Sequence, residues 1–277
     1  METVTLNDGI RMPLMGFGTF QMVDEVCERA VETALGAGYR MIDTAEAYGN
    51  EAAVGRGLRA SGVPRSEVFL VTKVNFRSYG RVRETVEASL EKLAVDYLDL
   101  VLLHWPFGDV YAAWRELEAL QREGVVRSIG VSNFEPARLI DLIEFNEVVP
   151  SVNQIETNLF CQRLSEGAWL RKYNVAHMAY APLGQGLARE MFECPEVVAA
   201  AQAHGKTPQQ VALRYLVQRG ISVIPKSVHD DRMRDNLDAL RFQLTEEEMA
   251  AMKLLDKAAP MIGRPEDPAL VEQAMTW

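Results

Sequence analysis

The chain reads as an α/β protein of the (β/α)8 TIM barrel class, with an N-terminal β-hairpin capping the barrel floor. Three observations predict it. Seven short apolar runs each lead to a polar residue suited to chemistry or ligand contact: Asp43, Lys73, His104, Asn133, Gln154, Tyr180 and Lys226. Successive endpoints lie 30, 31, 29, 21, 26 and 46 residues apart, and a strand, a crossover helix and two turns take about 30 residues. The runs are continuously apolar rather than alternating, as parallel strands covered on both faces require. In such a barrel the strands' C-terminal ends share one rim, so the seven residues are expected to meet there.

The elements follow in order. Residues 3–12 alternate around Asn7-Asp8-Gly9, a hairpin turn. LMGFG (14–18) is the first barrel strand, and Val23, Val26, Cys27, Ala30, Val31 and Ala34 trace one face of a helix that Gly36 and Gly38 stop. Helices are expected near 50–60, 81–94, 110–123, 134–145 and 162–173, each followed by a strand-length apolar run. The last gap holds two helical stretches, 195–204 and 207–219, the second opening with Thr207-Pro208 as cap and first residue. ISVIP (221–225) is the eighth strand. Residues 260–277 carry two prolines and no period, and are expected to form a tail lying over the barrel.

Residues 1–277 are read as a single domain: no linker, low-complexity tract or charge shift divides them, and barrels of about 250 residues commonly form one domain. A hydrophobic content of 48% supplies a large core. The formal net charge of −10 disfavours nucleic acid and anionic membranes as partners. Cys27, Cys161 and Cys194 are odd in number and form no CxxC pair, as expected of incidental thiols in a reducing compartment. With no signal-peptide pattern and no membrane-length apolar run, a cytoplasmic monomer is expected. The four histidines show no HExxH or paired spacing, so no metal site is expected. Gly16-Phe17-Gly18 resembles the start of GxGxxG, but Gln21 stands in the third glycine's place, which argues against a Rossmann site.

Singly, Asp43, Tyr48, Lys73 and His104 have plain structural roles available to them. Together they close adjacent strands or follow one directly. A tyrosine with an ordinary pKa near 10 is a poor acid at neutral pH. An ammonium such as Lys73 beside it is expected to lower that pKa, with Asp43 holding the lysine charged and aimed. A neutral histidine can orient a carbonyl oxygen. The set suits protonation of a carbonyl oxygen on which negative charge develops. Such a site also needs a hydride source. Ser132, Asn133 and Gln154 can hydrogen-bond a carboxamide, Tyr180 can stack on a flat ring, and the backbone at Leu183-Gly184 can hold a pyrophosphate. Lys226, Ser227 and Arg232 form a compact cationic group suited to a phosphate monoester.

These residues sit in segments that resemble the aldo-keto reductase family over nearly the whole chain: MGFGTF (15–20), IDTAEAYGNE (42–51), TK (72–73), LLHWP (102–106), IGVSNF (129–134), NQIE (153–156), YAPLGQG (180–186) and IPKSVHDDRMRDN (224–236). PLGQG and AHGKTPQQVALRYLVQRG (203–220) are similar to the bacterial 2,5-diketo-D-gluconate reductase subgroup. The resemblance implies NADPH-dependent reduction of aldehydes or ketones. Tyr48 would be the proton donor, His104 the residue orienting the carbonyl, and Lys73 with Asp43 the tuning pair. The cofactor would meet Gly18, Thr19, Phe20 and Asp43, then Ser132, Asn133 and Gln154 at its carboxamide, and Tyr180 under the nicotinamide. Pro182, Leu183 and Gly184 would follow it along the rim. Lys226, Ser227, Val228 and Arg232 would surround its 2′-phosphate, with Asn236 at the adenine. Phe20, Tyr48, His104 and Trp105 would line the substrate pocket.

The chain departs from the family pattern in its loops. Only Phe107-Gly108-Asp109 follow HWP before the next helix, Val74-Asn75 follows the lysine where an aromatic is common, and the tail is short. A thinned substrate wall is expected. His229 stands where relatives carry Thr or Arg beside the 2′-phosphate. Two other functions compete: a nicotinamide-binding regulatory subunit without turnover, and a Schiff-base aldolase using Lys73. The full tetrad disfavours the first. Asp43 and the 224–236 segment disfavour the second.

Overall fold

The computed structural model describes residues 1–276. Strands β1 (Thr3–Thr5) and β2 (Arg11–Pro13) pair antiparallel, with Val4 opposite Met12. The turn between them is closed by Leu6 N–H donating to Ile10 O at 2.8 Å and by Ile10 N–H donating to the Asp8 carboxylate at 3.1 Å. Eight parallel strands follow: β3 (Phe17–Gly18), β4 (Met41–Asp43), β5 (Phe69–Val74), β6 (Leu98–Leu103), β7 (Val126–Ser132), β8 (Val152–Glu156), β9 (Ala176–Tyr180) and β10 (Ser222–Val223). Each pairs with its neighbour in chain order. The sheet closes on itself through a parallel bridge between Met15 and Val223, with Gly16 N–H donating to Val223 O at 2.8 Å and Val223 N–H to Leu14 O at 3.0 Å. The result is a (β/α)8 barrel.

Side chains alternate across each strand, and the inward series fills the barrel. Met41, Phe69, Val71, Leu100, Leu102, Val152, Met178 and Ile224 form one buried cluster, and Leu6 and Met12 of the hairpin belong to it. The hairpin therefore plugs the barrel floor, as predicted. The outward series, including Ile42, Leu70, Val101, Ile129, Val131, Ile155 and Val223, packs with the helices in a second, larger core. A Cβ on Gly16 would lie 2.5 Å from the Met41 side chain, so only glycine leaves room for the methionine that fills this level of the interior.

Helices α1 (Asp24–Ala37), α2 (Glu51–Ala60), α3 (Val82–Leu93), α4 (Val110–Arg122), α5 (Pro136–Glu144), α6 (Leu164–Lys172), α7 (Pro195–His204) and α8 (Pro208–Gln218) match the predicted stretches within a few residues. The Thr207 hydroxyl accepts from Gln210 N–H and the Gln210 side chain accepts from Thr207 N–H, a capping box with Pro208 in the first turn. Two helices were not among those expected from the sequence: α9 (Asp230–Asp238), which is strongly polar, and α10 (Glu246–Lys253), which lacks a strong apolar period.

Two expectations need correction. The first barrel strand is shorter than residues 14–18, because only Phe17 and Gly18 keep continuous ladder bonds to β4. The predicted tail contains a helix, α11 (Pro268–Ala274). Pro268 starts this helix rather than breaking it, and the Asp267 carboxylate accepts from Ala269 N–H at 3.0 Å. Seven residues are too few to show a period. The tail crosses the rim: the Glu156 carboxylate accepts from Met261 N–H at 2.8 Å and from Ile262 N–H at 3.0 Å. Trp277 lies outside the described residues.

Candidate active site

Inward alternation places the chemistry. Met41 leads to Asp43, Phe69 and Val71 to Lys73, Leu100 and Leu102 to His104, Val152 to Gln154, Met178 to Tyr180, and Ile224 to Lys226. Each functional residue is the next inward position above the packed interior, where the barrel opens at its C-terminal face.

Asp43 and Lys73 are each 1% exposed. Lys73 Nζ donates to Asp43 Oδ1 at 2.6 Å, to Thr44 O at 2.8 Å and to Tyr48 Oη at 3.5 Å. Tyr48 ends a short 3-10 turn, Glu46–Tyr48, directly after β4. His104 follows β6, and its ring lies edge-on to Tyr48 with centroids 5.9 Å apart. The four residues predicted to act together are thus in one cluster.

The direction of the Tyr48 shift corrects the sequence expectation. Its pKa is raised well above the ordinary value, chiefly by burial and further by the Asp43 carboxylate. Lys73 does not overcome this, since its closest bonds go to Asp43 and Thr44. Burial also lowers the Lys73 pKa, against the opposing pull of Asp43. Tyr48 therefore keeps its proton until a charge change beside it draws the proton away. Burial and the Lys73 charge push His104 down to about 3, so its ring is neutral. Its Nδ1 is buried without a hydrogen-bond partner. The single ring proton then belongs on Nε2, where it can be donated to a carbonyl oxygen.

The second half of the rim forms one network. The Asn133 backbone is left-handed, with φ 64°, which turns its side chain back into the rim. Its Nδ2 donates to His104 O at 3.0 Å and to Ser132 Oγ at 3.1 Å, while its Oδ1 accepts from Tyr180 Oη at 2.8 Å. Ser132 Oγ donates to Gln154 O at 2.9 Å. Gln154 Nε2 donates to Asp43 Oδ2 at 2.8 Å, a link the sequence does not show.

Gly18 ends β3, and Thr19 and Phe20 follow it toward the tetrad. Thr19 N–H and Oγ both donate to Asp43 O, and the exposed Phe20 ring packs on Tyr48 at 4.9 Å. A Cβ on Gly18 would sit 2.9 Å from Ile224 O, so glycine permits this close approach of β3 to the Lys226 segment. Pro182, Leu183 and Gly184 form the turn after β9, with Gly184 N–H donating to Ala181 O at 2.9 Å. Lys226, Val228 and Arg232 are exposed and Ser227 is buried. Among the described residues neither Lys226 nor Arg232 forms an ion pair, although carboxylates outnumber cations in this chain. Asn236 is buried beside Tyr39. Amide groups therefore cluster at one end of the rim, and cations without ion-pair partners among the described residues stand beside Ser227 at the other, the chemistry a dinucleotide would need.

The thinned wall is partly rebuilt. Trp105 stacks on Phe107 at 5.5 Å, and Phe76 meets Phe107 edge-on at 5.6 Å. Tyr79 Oη donates to Trp105 O at 2.6 Å and accepts from Trp105 N–H at 3.2 Å. The Glu46 carboxylate accepts from Asn75 N–H at 2.8 Å and from Ser78 Oγ at 2.6 Å, which fixes the turn carrying Phe76. The three residues Phe76, Tyr79 and Glu46 escaped the sequence reading. Their spacing carries no signal, because their partners lie on other loops.

The aldo/keto reductase family model matches residues 14–257. The chain belongs to the aldo/keto reductase family. It is 42% identical over 271 residues to an aldo-keto reductase of Mycobacterium sp. (strain MCS), covering 96% of this chain and 95% of that one. It is 41% identical over 256 residues to the methylglyoxal reductase DkgA of Yersinia pestis, covering 91% of this chain and 92% of that one. It superposes on the crystal structure of an aldo-keto reductase enzyme from a Medee basin deep-sea metagenome library with a TM-score of 0.93, at 37% identity, over 95% of this chain and 98% of that one. As an aldo/keto reductase it is an oxidoreductase, and the family generally uses a nicotinamide cofactor. No helix among its described residues is long and apolar enough to cross a membrane.

Proposed function

We propose that this chain is an NADPH-dependent carbonyl reductase in which Tyr48 is the proton donor. The observation that carries the reading is the buried Asp43–Lys73 pair with Tyr48 Oη 3.5 Å from the ammonium. Bound NADPH supplies the hydride. His104, neutral and donating from Nε2, orients the carbonyl oxygen. Tyr48 Oη passes its proton to that oxygen as charge develops on it, and the Lys73 ammonium stabilises the phenolate left behind. Asp43 keeps Lys73 aimed. Ser132, Asn133 and Gln154 hold the carboxamide, Tyr180 backs the nicotinamide ring, and Pro182, Leu183 and Gly184 follow the pyrophosphate. Lys226, Ser227, Val228 and Arg232 take the 2′-phosphate.

The substrates are small carbonyls: α-dicarbonyls, keto-sugars and aldehydes. Similarity to the Yersinia methylglyoxal reductase supports the first class, and the PLGQG segment supports a 2,5-diketo-D-gluconate reductase-like subgroup. The enzyme works as a cytoplasmic monomer. The test is NADPH oxidation across a panel of α-dicarbonyls, keto-sugars and aromatic aldehydes, with NADH alongside. Tyr48→Phe lowers turnover by about a hundredfold or more while cofactor binding, read by fluorescence, persists. Lys226→Ala weakens NADPH by about tenfold or more and NADH little. Retained turnover in the first variant would sink the proton-donor role, and equal losses in the second would sink the 2′-phosphate site.

A further inference from the structure

On the face opposite the tetrad, a cleft of about 350 Å³ opens between β1 of the hairpin, α6, the start of β9 and the loop after α8. That volume falls within the range of small-ligand clefts, about 300–1,000 Å³. Arg171 and Arg219 line it, with His177 and Gly167 between them. Among the described residues no carboxylate pairs with either arginine, in a chain with 39 acidic and 29 basic side chains. Arg219 stacks over the Tyr215 ring at 5.2 Å and donates through Nη2 to Gln162 O at 2.9 Å. Its Nη1 is buried with no hydrogen-bond partner, and a buried guanidinium N–H without an acceptor is costly.

The histidine adds an acceptor. Thr157 Oγ donates to Ile155 O at 3.2 Å, so it receives the proton of His177 Nε2 at 2.8 Å. His177 Nδ1 is then a lone pair. Burial and the charges of Arg219, Arg163 and Arg171 keep the ring neutral, with its pKa lowered to about 3. A Cβ on Gly167 would lie 3.5 Å from Arg171 Nη1 and 3.7 Å from His177 Nδ1, so both atoms face the space this glycine leaves open.

We infer that this floor cleft binds hydrogen phosphate, its charged oxygens taken by Arg171 and Arg219 and its remaining O–H donated to His177 Nδ1. Two guanidinium groups that line one cleft without carboxylate partners suit a tetrahedral oxyanion. The neutral histidine selects an anion that still carries a proton. Sulfate, of the same shape but without that O–H, leaves the acceptor unanswered.

The test is titration of the full chain with inorganic phosphate at neutral pH, read by the NMR signals of the His177 ring. Saturable shifts are expected, with sulfate weaker by about tenfold. Arg171 is exposed and holds no other side chain, so Arg171→Gln should fold and should weaken phosphate by about tenfold. Lys226→Ala, at the opposite face, should leave the His177 response unchanged. Absent shifts, equal binding of sulfate, an unaltered response in Arg171→Gln, or loss of the response in Lys226→Ala would each overturn the assignment.

Discussion

Gln154 Nε2 donates to Asp43 Oδ2 at 2.8 Å, joining two residues 111 positions apart in the chain. Asp43 Oδ1 is held by Lys73, so the aspartate's two oxygens answer to the two halves of the rim. Gln154→Leu leaves Oδ2 buried without this donor. The expected cost is about 1–3 kcal/mol of stability, read as a lower urea midpoint, together with reduced turnover. An unchanged midpoint would show that the bond contributes nothing in solution.

The Asp43–Lys73 pair has both partners inside the protein, with side chains 2% and 0% exposed. Lys73→Met strands the carboxylate, and Asp43→Asn strands the ammonium. Each is expected to cost about 3–5 kcal/mol. The double variant Asp43→Asn/Lys73→Met removes both charges and should lose far less than the sum, while turnover stays absent. Additive losses in denaturant unfolding would contradict a coupled pair.

Acid should destabilise the protein through its buried histidines. His104 and His177 have folded-state pKa values of about 3 against an ordinary 6.5. Both are depressed, so the unfolded chain binds the protons first as pH falls. Their contribution to stability is complete above about pH 6.5 and is lost as pH falls toward 3, at about 1.4 kcal/mol per pH unit for each. Urea midpoints measured between pH 7 and 4 should follow this slope, and His177→Asn should remove about half of it. In turnover, His104 should contribute no ionisation between about pH 5 and 8.

Tyr79 brackets both backbone groups of Trp105, the residue after His104. Tyr79→Phe removes the bracket without emptying the core. KM for carbonyl substrates should rise several-fold, on the scale of about 1 kcal/mol for one hydrogen bond, while the dissociation constant of NADPH holds. A fall in cofactor affinity with KM unchanged would place Tyr79 on the cofactor side instead.

The strand–helix beat and the strand-end residues were legible because a parallel barrel repeats one unit, and each repeat spends its apolar residues in a short run. The hairpin was legible from Asn7-Asp8-Gly9, and α8 from its cap at Thr207-Pro208. Helices α9 and α11 were not: the first is strongly polar, and the second spans only seven residues.

The sequence by itself determined which residues stand at the strand ends, because the period of two in a strand carries an inward position to the rim. Tertiary structure alone decided how these groups act on one another. It gave Lys73 to Asp43 first and left Tyr48 protonated, it tied Gln154 to Asp43, and it rebuilt the aromatic wall from Phe76, Trp105 and Phe107. Burial and distance set those outcomes, and both depend on which loops meet above the barrel.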